Sequence, residues 1–451
     1  MLKFRFAQNM EALGIERVEA NSRNDFRIFN NLTLWLSANF NLSTFALGTL
    51  AGPVFKLSFF DGLKVIVLFN ILGAIPAAIF ATLGPKLGLR QMTISRFSFG
   101  WNGAKIMALF NAATCIGWST VNVMVGGQLV KELSGGRVSS AAAIIVLSLV
   151  TMIVSLYGYQ HVHRYERYAW IPMAFCFLTL FTRYFPEIRV STWSLHGSVL
   201  YSALASFGAA VFGYAAAWSS YAADYNVNQP ESTPPGKIFW LTYLGILIPC
   251  IFLEALGLAL TTVVPFHGKT GGILLAMATE GFGNPGLWML AFFVLSLVAA
   301  NVPNDYSLGL SLQLLGEKWQ QISRAVWTVL GTIAYVIIAL IAGSEFNETL
   351  TDFLLLITYW LAPWLTILLL EHFFFRRGEY DVANWNSKAQ LPSGWAAIVA
   401  MIFGLFGAYL GASQARFVGP VSRLLSGADV GFELGALCSG VAYLILRKSR
   451  P

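Results

Sequence analysis

Apolar runs of about 20 residues, the length that crosses a bilayer as a helix, recur from residue 30 to the C-terminus. On hydropathy they fall at 30–53, 61–84, 104–131, 139–158, 168–184, 199–222, 237–263, 286–314, 325–343, 351–374, 393–413 and 430–446. The pattern predicts an all-α integral membrane protein with about twelve transmembrane helices rather than a barrel. One run, Leu287 to Leu315, is interrupted by Asn301-Val302-Pro303-Asn304-Asp305. Amides and a carboxyl at that depth are costly against lipid, so they are expected to face a bundle interior or a cavity. Pro303 removes a backbone donor and crowds the preceding turn, which predicts a kinked or locally opened helix.

Two other helices carry interruptions at matching depth. The first has Asn30, Asn31, Ser37, Asn39, Asn41 and Ser43 in an apolar frame; the sixth has Gly208, Gly213, a run of alanines and then Trp218-Ser219-Ser220-Tyr221. Interrupted helices five apart point to an inverted-repeat transporter with its site near the membrane midplane.

Composition agrees with the pattern. The 451 residues are 56% hydrophobic and 11% charged, with mean hydropathy +0.64, whereas a soluble domain carries about 25% charged residues. The net charge of +7 is scattered over connections, so it is not a nucleic-acid signal. No cleavable signal peptide is read; the polar, basic first 27 residues read as a cytoplasmic tail. With that end inside, most Lys and Arg fall in cytoplasmic connections and tails, including Lys86, Arg90, Arg96, Arg164, Arg167, Arg376, Arg377, Arg447 and Lys448. Both termini are therefore expected in the cytoplasm, with the chain in a plasma or cytoplasmic membrane. Asn347-Glu348-Thr349 is a glycosylation sequon on the outer face.

The chemistry-bearing residues are mostly neutral. Trp118 and Asn122 lie four apart, on one face of the third helix. Such a face suits a flat heteroaromatic ring with an amide at its edge; the plainer alternative is an interfacial Trp and an Asn bonded to a neighbouring helix. Asn301 and Asn304 offer donors and acceptors that match a nucleobase edge, or simply cap carbonyls freed by Pro303. Trp218 is a second aromatic wall or ordinary packing, and Asp224 a cap or an ion-pair partner. Glu254, in the middle of the seventh helix, is a proton-carrier candidate, as is Asp305. Cys115, Cys176, Cys250 and Cys438 lie in apolar segments without ligand spacing, and His161-Val162-His163 has no further ligand near it in sequence, so no metal site is expected. No nucleotide-binding loop, filter repeat or nucleophile–base pair is visible, which disfavours an ATP-driven pump, a channel and a membrane enzyme.

These residues resemble nucleobase–cation symporter family 1, most closely its purine–cytosine permease branch. The resemblance is carried by Leu34-Trp35-Leu36-Ser37-Ala38-Asn39-Phe40, Gly84-Pro85-Lys86-Leu87-Gly88-Leu89-Arg90-Gln91, Ser95-Arg96-Phe97-Ser98-Phe99-Gly100, Gly117-Trp118 with Val121-Asn122, Tyr221-Ala222-Ala223-Asp224-Tyr225, and Asn301-Val302-Pro303-Asn304. It implies a LeuT-type fold of two inverted five-helix repeats plus two C-terminal helices. The divisions would be a tail at 1–27, repeats at 28–190 and 191–375, a cytoplasmic connection at 376–392, and the last two helices with a short tail at 393–451. It implies a nucleobase substrate, cytosine or a purine, between helices 1, 3, 6 and 8, touching Trp118, Asn122, Trp218, Asn301, Pro303 and Asn304, with Ser37, Asn39 and Ser43 marking the first helix. There are departures. The family's sixth-helix stacking aromatic falls at Ala215, which keeps a vitamin or pyrimidine precursor (hydroxymethylpyrimidine, thiamine, pyridoxine) open as substrate. The family's sodium-binding Ser-Thr pair falls at Leu295-Ser296, leaving Ser296 as a reduced cation site, so H⁺ is favoured over Na⁺ as the coupling ion. No cofactor is implied.

Overall fold

The computed structural model describes residues 14–156, 159–190, 195–263, 270–342, 346–414 and 417–448. In chain order the helices are α1 (Asn30–Asn39), α2 (Leu42–Thr49), α3 (Phe59–Ala81), α4 (Leu83–Leu87), α5 (Gln91–Ile94), α6 (Arg96–Leu133), α7 (Ser140–Leu156), α8 (Tyr159–Tyr184) and α9 (Gly197–Ala217). They continue as α10 (Pro235–Leu260), α11 (Thr270–Phe282), α12 (Asn284–Gln313), α13 (Glu317–Gln320), α14 (Arg324–Ala342), α15 (Phe346–Leu370), α16 (Trp395–Gly411), α17 (Pro420–Leu424) and α18 (Gly431–Lys448). A short antiparallel pair, β1 (Ser413–Gln414) and β2 (Phe417–Val418), precedes α17. Seven helices among the described residues are long and apolar enough to cross a membrane, with α7 and α16 shorter but apolar. Each expected span has its helix, the first of them split into α1 and α2. The 13-residue α11, between the seventh and eighth spans, was not anticipated.

Burial runs inside-out relative to a soluble protein. On α14, Ile333, Ile337 and Ile341 stand exposed at four-residue spacing, while Thr328, Tyr335 and Ala339 on the other face are buried. The exposed stripe is a lipid face; the buried one packs on α6, α7 and α12. Where helices meet, glycine sets the approach. A Cβ on Gly48 of α2 would lie 1.9 Å from the Glu254 carbonyl of α10, and one on Gly257 would lie 2.2 Å from the Phe45 carbonyl. Close backbone contact of this kind replaces the hydrophobic driving force that lipid does not supply.

The break in the first span comes from one side chain. Asn41 leaves helical geometry (φ −137, ψ 168) and caps α2, its Oδ1 accepting from Ser43 N and Thr44 N at 2.7 and 3.0 Å. Its Nδ2 donates back to the Ala38 carbonyl of α1 at 2.5 Å. Thr44 Oγ1 donates to Asn39 O at 2.7 Å, so both half-helix ends are satisfied without water. The sixth span ends as expected: α9 stops at Ala217, and two 3-10 turns follow, Trp218–Ser220 and Ala222–Tyr225. The expected opening at Asn301–Asp305 does not occur. α12 is one helix through that stretch, with Asn304 Nδ2 donating to Ala300 O at 3.2 Å. Loss of a single N–H at Pro303 is tolerated where side chains re-satisfy the backbone. Asp224 is a cap, its Oδ1 accepting from Gln91 N at 2.8 Å at the start of α5.

Gly48→Val should separate α2 from α10 and abolish a monodisperse peak in size-exclusion of the detergent-solubilised protein. Gly236→Ala, where a Cβ meets nothing within 4 Å, should elute as wild type. Equal profiles would mean that the α2–α10 approach does not hold the bundle together.

Candidate functional site

α6 presents Trp118 and Asn122 on one buried face, as their spacing predicts. The Trp118 ring meets Tyr214 and Phe353 edge-on, each at 5.2 Å between centroids. Gly117 makes room for Phe353, since a Cβ there would lie 2.0 Å from its ring. Asn122 is bonded on both sides: Oδ1 accepts from Ser43 Oγ at 2.5 Å, and Nδ2 donates to Asn301 Oδ1 at 2.7 Å. The α2 start, α6 and α12 are thereby tied at one level.

Trp218, in the first 3-10 turn, donates from Nε1 to Asn39 Oδ1 at 2.9 Å and meets Trp35 edge-on at 5.3 Å. Tyr221 donates to Asn304 Oδ1 at 2.7 Å, and Tyr225 to the Pro303 carbonyl at 2.6 Å. Toward the N-terminus of α1, Asn31 Nδ2 donates to Gln229 Oε1 at 3.0 Å and Asn226 Nδ2 to Ala81 O at 2.7 Å. That end is packed shut by side chains.

Between these elements lies a small cavity of about 10 Å³, room for about one water molecule, so its walls nearly close on one another. Four of the expected residues line it: Trp118, Asn122, Trp218 and Asn304. Asn41, Tyr214 and Tyr221 also line it and were not singled out as site residues. They were detectable, because Tyr214, Trp218 and Tyr221 follow an i, i+4, i+7 spacing. Ala215 points elsewhere, its Cβ packing where α9 approaches Gly73 of α3. Among the described residues, no acidic or basic side chain lines the cavity.

The remaining expected residues stand outside the lining. Asn301 lies one step behind, holding Asn122 and donating to Ser119 O at 3.4 Å. Ser43 likewise acts through Asn122, and Asn39 through Trp218. Pro303 offers its carbonyl to Tyr225, and Ser37 donates to the Glu166 carbonyl of α8 at 2.7 Å, away from the cavity. Ser296 Oγ accepts from Leu42 N at 3.2 Å, at the α1–α2 break, and donates to Phe293 O at 2.6 Å. Glu254 is fully buried on α10, its Oε2 accepting from Asn70 Nδ2 at 2.7 Å. Its Oε1 has no hydrogen-bond partner among the described residues. One turn away, Cys250 Sγ meets Asn39 Oδ1 at 3.4 Å. Asp305 faces away, toward Ser119 Oγ at 3.1 Å and Tyr335 OH at 3.4 Å. All four cysteines are free. The sequon residues fall at the start of α15, and their side chains, like that of His161, lie outside the described part.

A neutral amide-and-indole cavity, set beside two interrupted spans inside a helical membrane bundle, defines a membrane transporter of the LeuT-type fold. The chain belongs to the family described as permease for cytosine/purines, uracil, thiamine, allantoin, which it matches over residues 17–435. Purine-cytosine permease fcyB of Emericella nidulans is 39% identical over 97% of this chain and 88% of that protein. Vitamin B6 transporter TPN1 of Saccharomyces cerevisiae is 30% identical over 97% and 87%. Among solved structures, the nucleobase-cation-symport-1 family transporter Mhp1, closed with bromovinylhydantoin bound, superposes with a TM-score of 0.74 at 14% identity. That superposition covers 98% of this chain and 95% of Mhp1.

Tyr221→Phe leaves the buried Asn304 Oδ1 without its donor, which costs about 1–3 kcal/mol. The variant should melt at a lower temperature than wild type in the same detergent. An unchanged melting temperature would show that this bond does not contribute to the folded state.

Proposed function

We propose that the protein imports nucleobases, most readily cytosine and purines, in symport with protons. The observation that carries the substrate class is the lining: indoles at Trp118 and Trp218, amides at Asn41, Asn122 and Asn304, and no charged group. Stacking surfaces with alternating donors and acceptors fit a neutral heteroaromatic ring and disfavour an ionised solute. The relation to purine-cytosine permeases supports the same reading. Of the residues expected from the sequence, Trp118, Asn122, Trp218 and Asn304 would touch the base. Asn301, Ser43, Asn39 and Pro303 would act as positioning residues.

Two arrangements support the proton over sodium. Ser296 already takes a backbone N–H, a donor, where a hard cation needs unoccupied oxygens. Glu254 is a fully buried carboxyl at membrane depth, bonded to Asn70 through one oxygen, with the other unpartnered among the described residues. Asp305, turned toward α14, is the second coupling candidate. Both termini would lie in the cytoplasm, so that the packed Asn31–Gln229 end closes the inner side.

Asn301→Ala should abolish uptake of labelled cytosine by a transport-deficient host while surface expression stays intact. Normal uptake by that variant would remove the proposed site. Wild-type uptake should rise as external pH falls and be indifferent to sodium; a sodium requirement at fixed pH would overturn proton coupling. Glu254→Gln should lose accumulation against a gradient yet retain exchange of labelled for unlabelled base. Cytosine and adenine should raise the thermal midpoint of the purified protein. A shift with pyridoxine or thiamine and none with the bases would reassign the substrate to a vitamin.

A further inference from the structure

A second cavity lies far from the first in the chain, where the start of α16 meets the end of α18. It measures about 260 Å³ and is open on one side, and its polar walls are Ser98, Ser393, Tyr443 and Arg447, with Trp395 also lining it. Four features point to an anion there.

α16 is 17 residues long and starts after Gly394 with no side-chain cap, and its first residues, Trp395 and Ala396, line the cavity. Uncapped N–H groups at a helix start carry positive potential toward that space. The loop that aims them is locked. Gly394 has φ 74, and a Cβ on it would lie 1.8 Å from Phe99 O; Gly100 has φ 67, and a Cβ on it would lie 2.3 Å from Pro392 O. Only glycine tolerates both the close approach and the left-handed geometry.

Ser98 lines the cavity, is 7% exposed, and its hydroxyl has no hydrogen-bond partner among the described residues. A buried hydroxyl facing a polar space without a partner is a donor awaiting an acceptor. Arg447 completes the wall. Its Nε meets Glu371 Oε2 at 3.3 Å and its guanidinium lies over the Phe375 ring at 5.3 Å, so the fork is held at a fixed angle. Glu371 also pairs with Arg376 at 2.8 Å, leaving two guanidinium groups to one carboxylate. The end of α18 has the opposite dipole to the start of α16, and Arg447 is what turns it cationic.

The surroundings name the source of the anion. The outer flanks of α16 and α18 expose Phe403, Phe406, Leu437, Val441 and Ile445, an apolar surface leading along both helices. A phosphate in the cavity with acyl chains on that surface satisfies both halves of the site. We propose that this cavity binds the phosphate group of an anionic phospholipid, held by the α16 N–H groups, Ser98 and Arg447.

The test uses the full chain in phosphatidylcholine nanodiscs with and without phosphatidic acid, read by native mass spectrometry of lipid retained on release. Wild type should keep phosphatidic acid in preference to phosphatidylcholine. Arg447→Gln should lower that preference about tenfold, as expected for losing a charge-assisted bond. Ser98→Ala removes a hydroxyl that touches no protein partner, so it should fold as wild type and lower the preference about threefold. Inorganic phosphate is titrated separately by thermal shift. Phosphate stabilisation lost in Arg447→Gln, without any lipid preference, would keep the phosphate site and overturn the lipid as its source. Equal retention by wild type and both variants, with no phosphate shift, would overturn the proposal.

Discussion

With no water to turn to, amide side chains in the interior of a membrane bundle must bond to one another, and here that requirement fixes the depth of four elements. Asn122 joins α2 to α12 through Ser43 and Asn301, and Asn41 stitches the two halves of the first span together. A slip of one residue along any of these helices would strand a donor or an acceptor in hydrocarbon. The cavity between Trp118 and Trp218 is therefore a by-product of polar pairing. Its walls stand where the amides can reach each other, and the aromatic rings fill the remaining sides.

The same economy governs the interrupted spans. At the first break, Asn41 and Thr44 satisfy the loose ends that an unwound turn exposes; at the sixth, Ser219 and Ser220 donate back to Ala216 and Ala217 at 2.5 and 3.0 Å. Neither break depends on glycine or proline at the point of unwinding. Both are written in short polar side chains, which compete with the backbone for its own partners. α12 shows the converse: proline is present, yet the helix continues through it.

Much of this was legible before the structure. The spans, the breaks in the first and sixth helices, and the pairing of Trp118 and Asn122 on one face follow from hydropathy and the 3.6-residue period. What failed to show was of three kinds. The continuity of α12 through Pro303 runs against the local rule that proline breaks or opens a helix. The role of Ser37 depends on which way its hydroxyl turns, and it turns to α8. The glycine contacts at Gly48, Gly257, Gly100 and Gly394 are meaningful only once two distant segments are brought together. Tyr214 and Tyr221 differ from these, since their spacing from Trp218 is visible in the sequence itself. The 13-residue α11 falls between two expected spans and is too short to cross a bilayer, so span-length hydropathy does not reveal it.

The cavity residues already hold one another. Asn122 has Ser43 and Asn301, Asn304 has Tyr221, and Trp218 has Asn39. A solute entering here would trade its bonds against theirs, so its net grip would be a small difference between two well-matched sets. With that site, the empty carrier would leave few polar groups unpaired on its return, and the loaded one could surrender its cargo. For a machine whose task is to let go on the far side, an interior content with itself is an asset, because turnover needs a return stroke as easy as the forward one.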